Sequence, residues 1–180
     1  DVFNSVALPI GHTPLDRRWQ AVEFSRPTAA AASFAGGLRG EAGIARAEAV
    51  NAYVNARVRF VDDSVRWHVA DRWSPAAETL ASGRGDCEDY AIAKLAMLRR
   101  AGFAEHDLYL VILKDLVRRA DHAVAVVRTG GRFLVLDNGT DRLLDSSDIA
   151  DYRPVMSFTA GHAYLHGYRH DALPAPVDYA

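Results

Sequence analysis

The chain holds a single cysteine and only two methionines. One thiol excludes an internal disulfide, so cysteine usage gives no sign of the redox compartment. Long apolar runs are missing too. No stretch approaches the roughly 20 apolar residues that a helix needs to cross a bilayer, and the chain reads as not membrane-spanning. An excess of charge of one sign is also absent: 21 Lys and Arg stand against 23 Asp and Glu, a net charge of −2. The basic pairs Arg17-Arg18, Arg99-Arg100 and Arg118-Arg119 are scattered. Neither nucleic acid nor an anionic membrane surface therefore has an electrostatic claim on it. No repeat or low-complexity tract interrupts the sequence. It starts at Asp1 and not at Met, which reads as a processed or trimmed chain, compatible with a removed signal peptide.

What is present fits one domain over residues 1–180, with 1–40 as an N-terminal extension and 160–180 as a tail holding Pro174 and Pro176. Trp19, Val22 and Phe24 suggest one packed turn, and an Ala-rich stretch over 28–40 ends in glycines. From 42 to 60, Ile44, Ala47, Val50, Val54 and Val58 recur at the spacing of one helical face. Asn51 and Asn55, one turn apart, read as part of its polar face. Asp62-Asp63-Ser64 reads as a turn. Ser74 before Pro75 predicts an N-cap and a short helix through Leu80. A second helix is predicted from Cys87 to Arg100, closed by Gly102. Beyond it the period changes to two. The apolar run 108–113, the alternating segments 122–128 and 132–137 around Gly130-Gly131, and 152–158 read as strands, with 159–161 as a loop. Helices followed by a sheet predict an α+β fold.

A lone Cys with His and Asp elsewhere is a candidate nucleophile, although most lone cysteines are inert. Cys87 stands at a predicted helix N-terminus after Gly83-Arg84-Gly85-Asp86. Unpaired N–H groups there favour the thiolate and could hold the oxyanion of a tetrahedral intermediate. Gly85 would let a substrate carbonyl come close. Asp86, Glu88 and Asp89 oppose the thiolate, because like charge disfavours ionisation. A protonated His or a bound hard cation would offset them, and clustered carboxylates supply the oxygen ligands calcium prefers. Acids that merely cap the helix and face water would look the same.

The predicted hairpin gives a geometric test. With Gly130-Gly131 as a two-residue turn, opposed residues sum to 261, and Asp137 falls across from Val124. His122 and Asp137 then share a face as diagonal neighbours, roughly 7 Å apart at Cβ. Asp137 could fix the imidazole tautomer while His122 takes the thiol proton. A register slip of one residue would separate them.

Four segments together resemble one family: Asp71-x-Trp73-x-Pro75-x-x-Glu78, Gly85-Asp86-Cys87-Glu88-Asp89-Tyr90-Ala91-Ile92-Ala93-Lys94, His122-Ala123-Val124, and Leu134-Val135-Leu136-Asp137-Asn138. The chain is similar to the bacterial transglutaminase-like cysteine proteinases over about 49–158, and to their periplasmic, adhesin-cleaving branch. The resemblance implies a papain-like fold with the nucleophile at the start of a helix packed on an antiparallel sheet. It implies a Cys87–His122–Asp137 triad and a calcium ion held by Asp86 and Glu88, with Asp89 and Asp71 placed near it. It further implies a large surface adhesin as substrate, cut in its N-terminal region at a paired-alanine site to control biofilm dispersal. An inner-membrane cyclic di-GMP receptor would be the regulator. Arg72 stands where the family has an aromatic residue, and Trp73 is either core or a wall of the substrate cleft.

His162, His166 and His170 recur every four residues, but Gly161 and Gly167 weaken the helix that would make them a metal site. Two further readings keep the same residues: a transglutaminase or amidase that passes the acyl group to another acceptor, and a calcium-stabilised binding module without catalysis.

Overall fold

The computed structural model describes residues 2–169. A short strand, β1 (Val6–Ile10), precedes three helices: α1 (Asp16–Val22), α2 (Ala29–Gly37) and α3 (Gly43–Arg57). Next come β2 (Arg59–Phe60), α4 (Asp63–Arg66), α5 (Ala76–Ser82), β3 (Arg84–Gly85) and α6 (Cys87–Arg100). The remaining strands are β4 (Leu108–Asp115), β5 (Ala120–Thr129), β6 (Arg132–Leu136), β7 (Leu144–Asp145), β8 (Tyr152–Thr159) and β9 (His162–Gly167). Seven strands form an antiparallel sheet in the order β1-β9-β8-β4-β5-β6-β7, while β2 and β3 pair in parallel beside it. The α+β architecture expected from the sequence is the one observed.

Packing divides on the two faces of the sheet. Ala123, Ala125, Val127, Leu134 and Leu136 join one core with α6, α3 and Trp73. The alternate residues Val124, Val126 and Val135 join a second core with Val111, Leu113, Val2 and Phe3. Successive strand residues point to opposite faces, so helices cover one row and the N-terminal turn covers the other.

Several sequence expectations change. Residues 6–10 and 162–167, expected in the extension and the tail, are β1 and β9, paired from Val6–Gly167 to Ile10–Ala163. Both are short segments whose partner lies at the far end of the chain, which local periodicity cannot register. His162 and His166 accordingly sit on a strand. His166 is bonded to Ser5 Oγ at 2.7 Å and Ser157 Oγ at 2.8 Å, and His170 lies outside the described residues. Ser74 does not cap α5. The helix starts at Ala76, whose N–H donates to Ser25 Oγ at 3.2 Å, and Ser74 is wholly buried with its N–H on Asp89 Oδ1 at 2.7 Å. Of the α3 stripe, Ala47, Val50 and Val54 are buried and Ile44 is exposed.

Candidate active site

Asp86 occupies the N-cap of α6, its Oδ1 accepting the Asp89 N–H at 3.4 Å. This places Cys87 in the first turn, where N–H groups have no partner inside the helix. The thiol donates to Glu88 Oε2 at 3.0 Å, and the Ala123 amide lies against the sulfur. Neither contact is with the imidazole of His122. Burial pushes the thiol far above its ordinary pKa, Glu88 and then Asp86 push it the same way, and only the Ala123 amide opposes them. Burial is thus the largest influence on the thiol, and the opposition from carboxylates expected from the sequence adds to it.

The hairpin has the register derived above. Ala125–Leu136 and Val126–Val135 are paired, which continues to Val124 opposite Asp137. His122 Nε2 lies 3.3 Å from Asp137 Oδ1 and 3.2 Å from Oδ2, both residues buried. The Gly139 N–H donates to Oδ1 at 2.8 Å, and the Tyr152 hydroxyl donates to Oδ2 at 2.7 Å. Burial disfavours the charge on Asp137. His122, the Gly139 N–H and the Tyr152 hydroxyl outweigh it and hold the carboxyl well below the usual range. An ionised Asp137 accepts a hydrogen bond from Nε2–H, which leaves Nδ1 as the basic nitrogen.

Behind Asp137 stand groups that the sequence reading left out or assigned to solvent. Asn55 Nδ2 donates to Asp137 O at 3.0 Å, Thr140 O at 3.1 Å and Asp141 Oδ1 at 2.9 Å. Asn51, wholly buried, donates to Thr140 O at 2.9 Å. The supposed polar face of α3 is therefore a clamp on the loop after β6. Lys94, two turns beyond Cys87 and wholly buried, donates to Leu136 O at 3.4 Å. Burial lowers its pKa to about 7, against the pull of Asp137 and Asp141.

On the other side of the thiol, Asp63, Asp86 and Asp89 each bring an oxygen within 4.8 Å of the others. Asp86 and Asp89 were among the expected ligands. Asp63 was not: read as part of a turn, it opens α4 and turns inward, 3% exposed. Its Oδ2 accepts the Arg72 N–H, while Oδ1 is buried without a partner. Burial, then Glu88, Asp89 and Asp63, raise Asp86 to about 9, and burial raises Asp89 to about 6 against the Ser74 amide. Arg66 lies beside this group, 3.5 Å from Asp89 Oδ2, and Arg72 is near enough to feel the charge of Asp89 and Asp63. An orphaned carboxylate oxygen facing two more carboxylates fits a hard cation. Glu88 and Asp71, also expected as ligands, lie outside the cluster. Glu88 is turned to the thiol, and Asp71 pairs with Arg18 at 2.9 Å while remaining close enough to Glu88 to feel its charge.

Gly85 has a different reason to be glycine from the one expected. An added Cβ would stand 2.6 Å from Asp89 Cβ, so the position is small to let Asp89 pack. Trp73 is core, 7% exposed and edge-on to Phe158 at 6.2 Å, although its rim lines an open depression with Arg18, Val69 and Asp71. Arg72 turns from the cluster to Glu78, with bonds of 2.6 and 3.0 Å, and lies over Trp67.

Residues 6–164 match the family model described as bacterial transglutaminase-like cysteine proteinase BTLCP. No curated protein matches at a significant level. Among solved structures, LapG of Legionella pneumophila is similar at TM-score 0.68 and 23% identity, over 88% of this chain and 90% of that one. Its calcium-bound form gives 0.67 and 24%, over 86% and 81%. The EGTA-treated form gives 0.69 and 23%, over 90% and 89%.

Proposed function

Because the chain belongs to the bacterial transglutaminase-like cysteine proteinases, we propose that it is a calcium-dependent endopeptidase with Cys87 as nucleophile, His122 as base and Asp137 as its orienting acid. The observation that carries this reading is the pairing of a buried, ionised Asp137 with His122 on the hairpin whose Ala123 amide touches the chain's one thiol. Nδ1 of His122 takes the thiol proton, and Sγ attacks the peptide carbonyl. N–H groups of the first turn of α6 hold the oxyanion, His122 returns the proton to the leaving amine, and water then releases the acyl group. A calcium ion held by Asp63, Asp86 and Asp89 would supply positive charge beside a sulfur that Glu88 and Asp86 now oppose. Glu88 and Asp71 stand next to that group and join it if their side chains turn.

The likeness to LapG supports a finer reading. The substrate is the N-terminal region of a LapA-like adhesin, cut at a paired-alanine site in the periplasm to release biofilm. The regulator is a LapD-like inner-membrane receptor for cyclic di-GMP. Among the described residues no helix is long and apolar enough to cross a membrane, which is consistent with this. Incubation with such an adhesin fragment, with calcium and with EGTA, tests it. Cleavage is expected with calcium and not with Cys87→Ala, and a Cys87→Ala protein that still cuts would overturn the mechanism.

A further inference from the structure

Tyr152 opens β8, and nothing in its sequence setting marks it as more than the first residue of a strand. Its hydroxyl donates to Asp137 Oδ2 at 2.7 Å, and its ring meets the His122 ring edge to face, centroids 5.6 Å apart at 69°. It thus touches both members of the pair that prepares the base. Asp137 has two oxygens. The Gly139 N–H is anchored on Oδ1 and the Tyr152 hydroxyl on Oδ2, and the imidazole N–H lies between them. A carboxylate pinned at both oxygens cannot rotate without losing a charge-assisted bond. With the Tyr152 hydroxyl gone, only the imidazole and the Gly139 N–H, at Oδ1, would hold it, and the carboxylate could turn away from Nε2.

The tyrosine is itself backed. Phe3 packs on its ring at 5.9 Å and 56°, and Ile149 joins them in the core on the face of the sheet without α6. Phe3 takes a positive φ of 52° to reach that position, a conformation unfavourable for a bulky side chain. Asn4 Nδ2 fastens the same turn to Ser147 O at 3.0 Å.

We propose that Tyr152 is a positioning residue of the proposed reaction, fixing the Asp137 carboxylate and through it the Nε2–H tautomer of His122. The inference rests on the triad assignment above, and its test does not require a peptide substrate. The chain has one thiol, so alkylation by iodoacetamide, followed by mass, reads Cys87 alone. Tyr152→Phe keeps the ring and removes only the hydroxyl. Its alkylation at neutral pH in the presence of calcium should slow about tenfold, in keeping with loss of one hydrogen bond to a charged group. Nitrogen-15 spectra should show the wild-type His122 as the Nε2–H tautomer and the variant as a mixture, with the melting temperature almost unmoved. Tyr152→Ala, which removes the ring contact as well, should slow alkylation further. Identical imidazole spectra and equal alkylation rates for wild type and Tyr152→Phe would overturn the proposal. A wild-type protein that shows these differences but cuts no adhesin would instead count against the endopeptidase reading.

Discussion

On the imidazole side of the site both oxygens of Asp137 have donors, its carbonyl is tied to α3 and that of Leu136 before it to α6, and its charge is stabilised within the chain. On the thiol side, Glu88 and Asp86 oppose ionisation of the sulfur, Asp63, Asp86 and Asp89 crowd one another, one buried oxygen of Asp63 has no partner, and Arg66 lies 3.5 Å from Asp89. The two halves meet at the Ala123 amide, yet one is complete from protein groups and the other is short of positive charge. Base and nucleophile are therefore prepared by different means. On the proposed assignment the base is set when the chain folds, whereas the nucleophile would depend on a bound cation.

The contrast breaks most visibly at Asp137. Asp137→Asn keeps the shape and removes the charge, and kcat should fall by about ten-thousandfold, the scale on which a triad loses its orienting acid. Calcium should not restore it, because the defect is in the other half. A loss below about tenfold would mean that the orienting acid is not Asp137.

The thiol half should respond to metal instead. Calcium at about a hundred times its dissociation constant should stabilise the protein by about 3 kcal/mol and restore activity lost in EGTA. Asp63→Asn removes one of three opposed carboxylates, so the metal-free protein should melt no lower than wild type while its gain with calcium largely disappears. Calorimetry with and without EGTA reads both effects. An undiminished gain would exclude Asp63 as a ligand.

Smaller effects test the ties between the halves. Asn55→Ala frees the loop after β6 and should cost about 1–2 kcal/mol in denaturant melts, with a several-fold lower kcat. Lys94 gives a pH signature. Its folded pKa, near 7, lies below the unfolded value of about 10.4, so the unfolded chain binds more protons between the two and stability rises with pH across that window. Lys94→Met should flatten that rise, and an unchanged slope between pH 7 and 10 would show that Lys94 stays charged when buried.

Legibility in the sequence followed the range of the interaction. The His122–Asp137 hairpin was readable because two glycines fix its turn and alternation fixes its register, both local facts. The α6 boundaries were readable for the same reason: Asp86 caps one end and Gly102, at φ 93°, closes the other. Asp63 was not, because a short acidic turn looks the same whether it faces water or other carboxylates. Asn51 and Asn55 carried a signal in their one-turn spacing, but their acceptors are backbone carbonyls more than 80 residues away. Tyr152 carried none.

The pairing of β1 with β9 has a consequence for how the molecule comes into being. The hairpin bearing His122 and Asp137 closes within 15 residues, whereas Val6 finds its partner only at Gly167. During synthesis, then, β1 stays unpaired at least until Gly167 has emerged. The β1 edge of the sheet is therefore expected to close late, since its pairing spans the longest loop of any strand pair among the described residues.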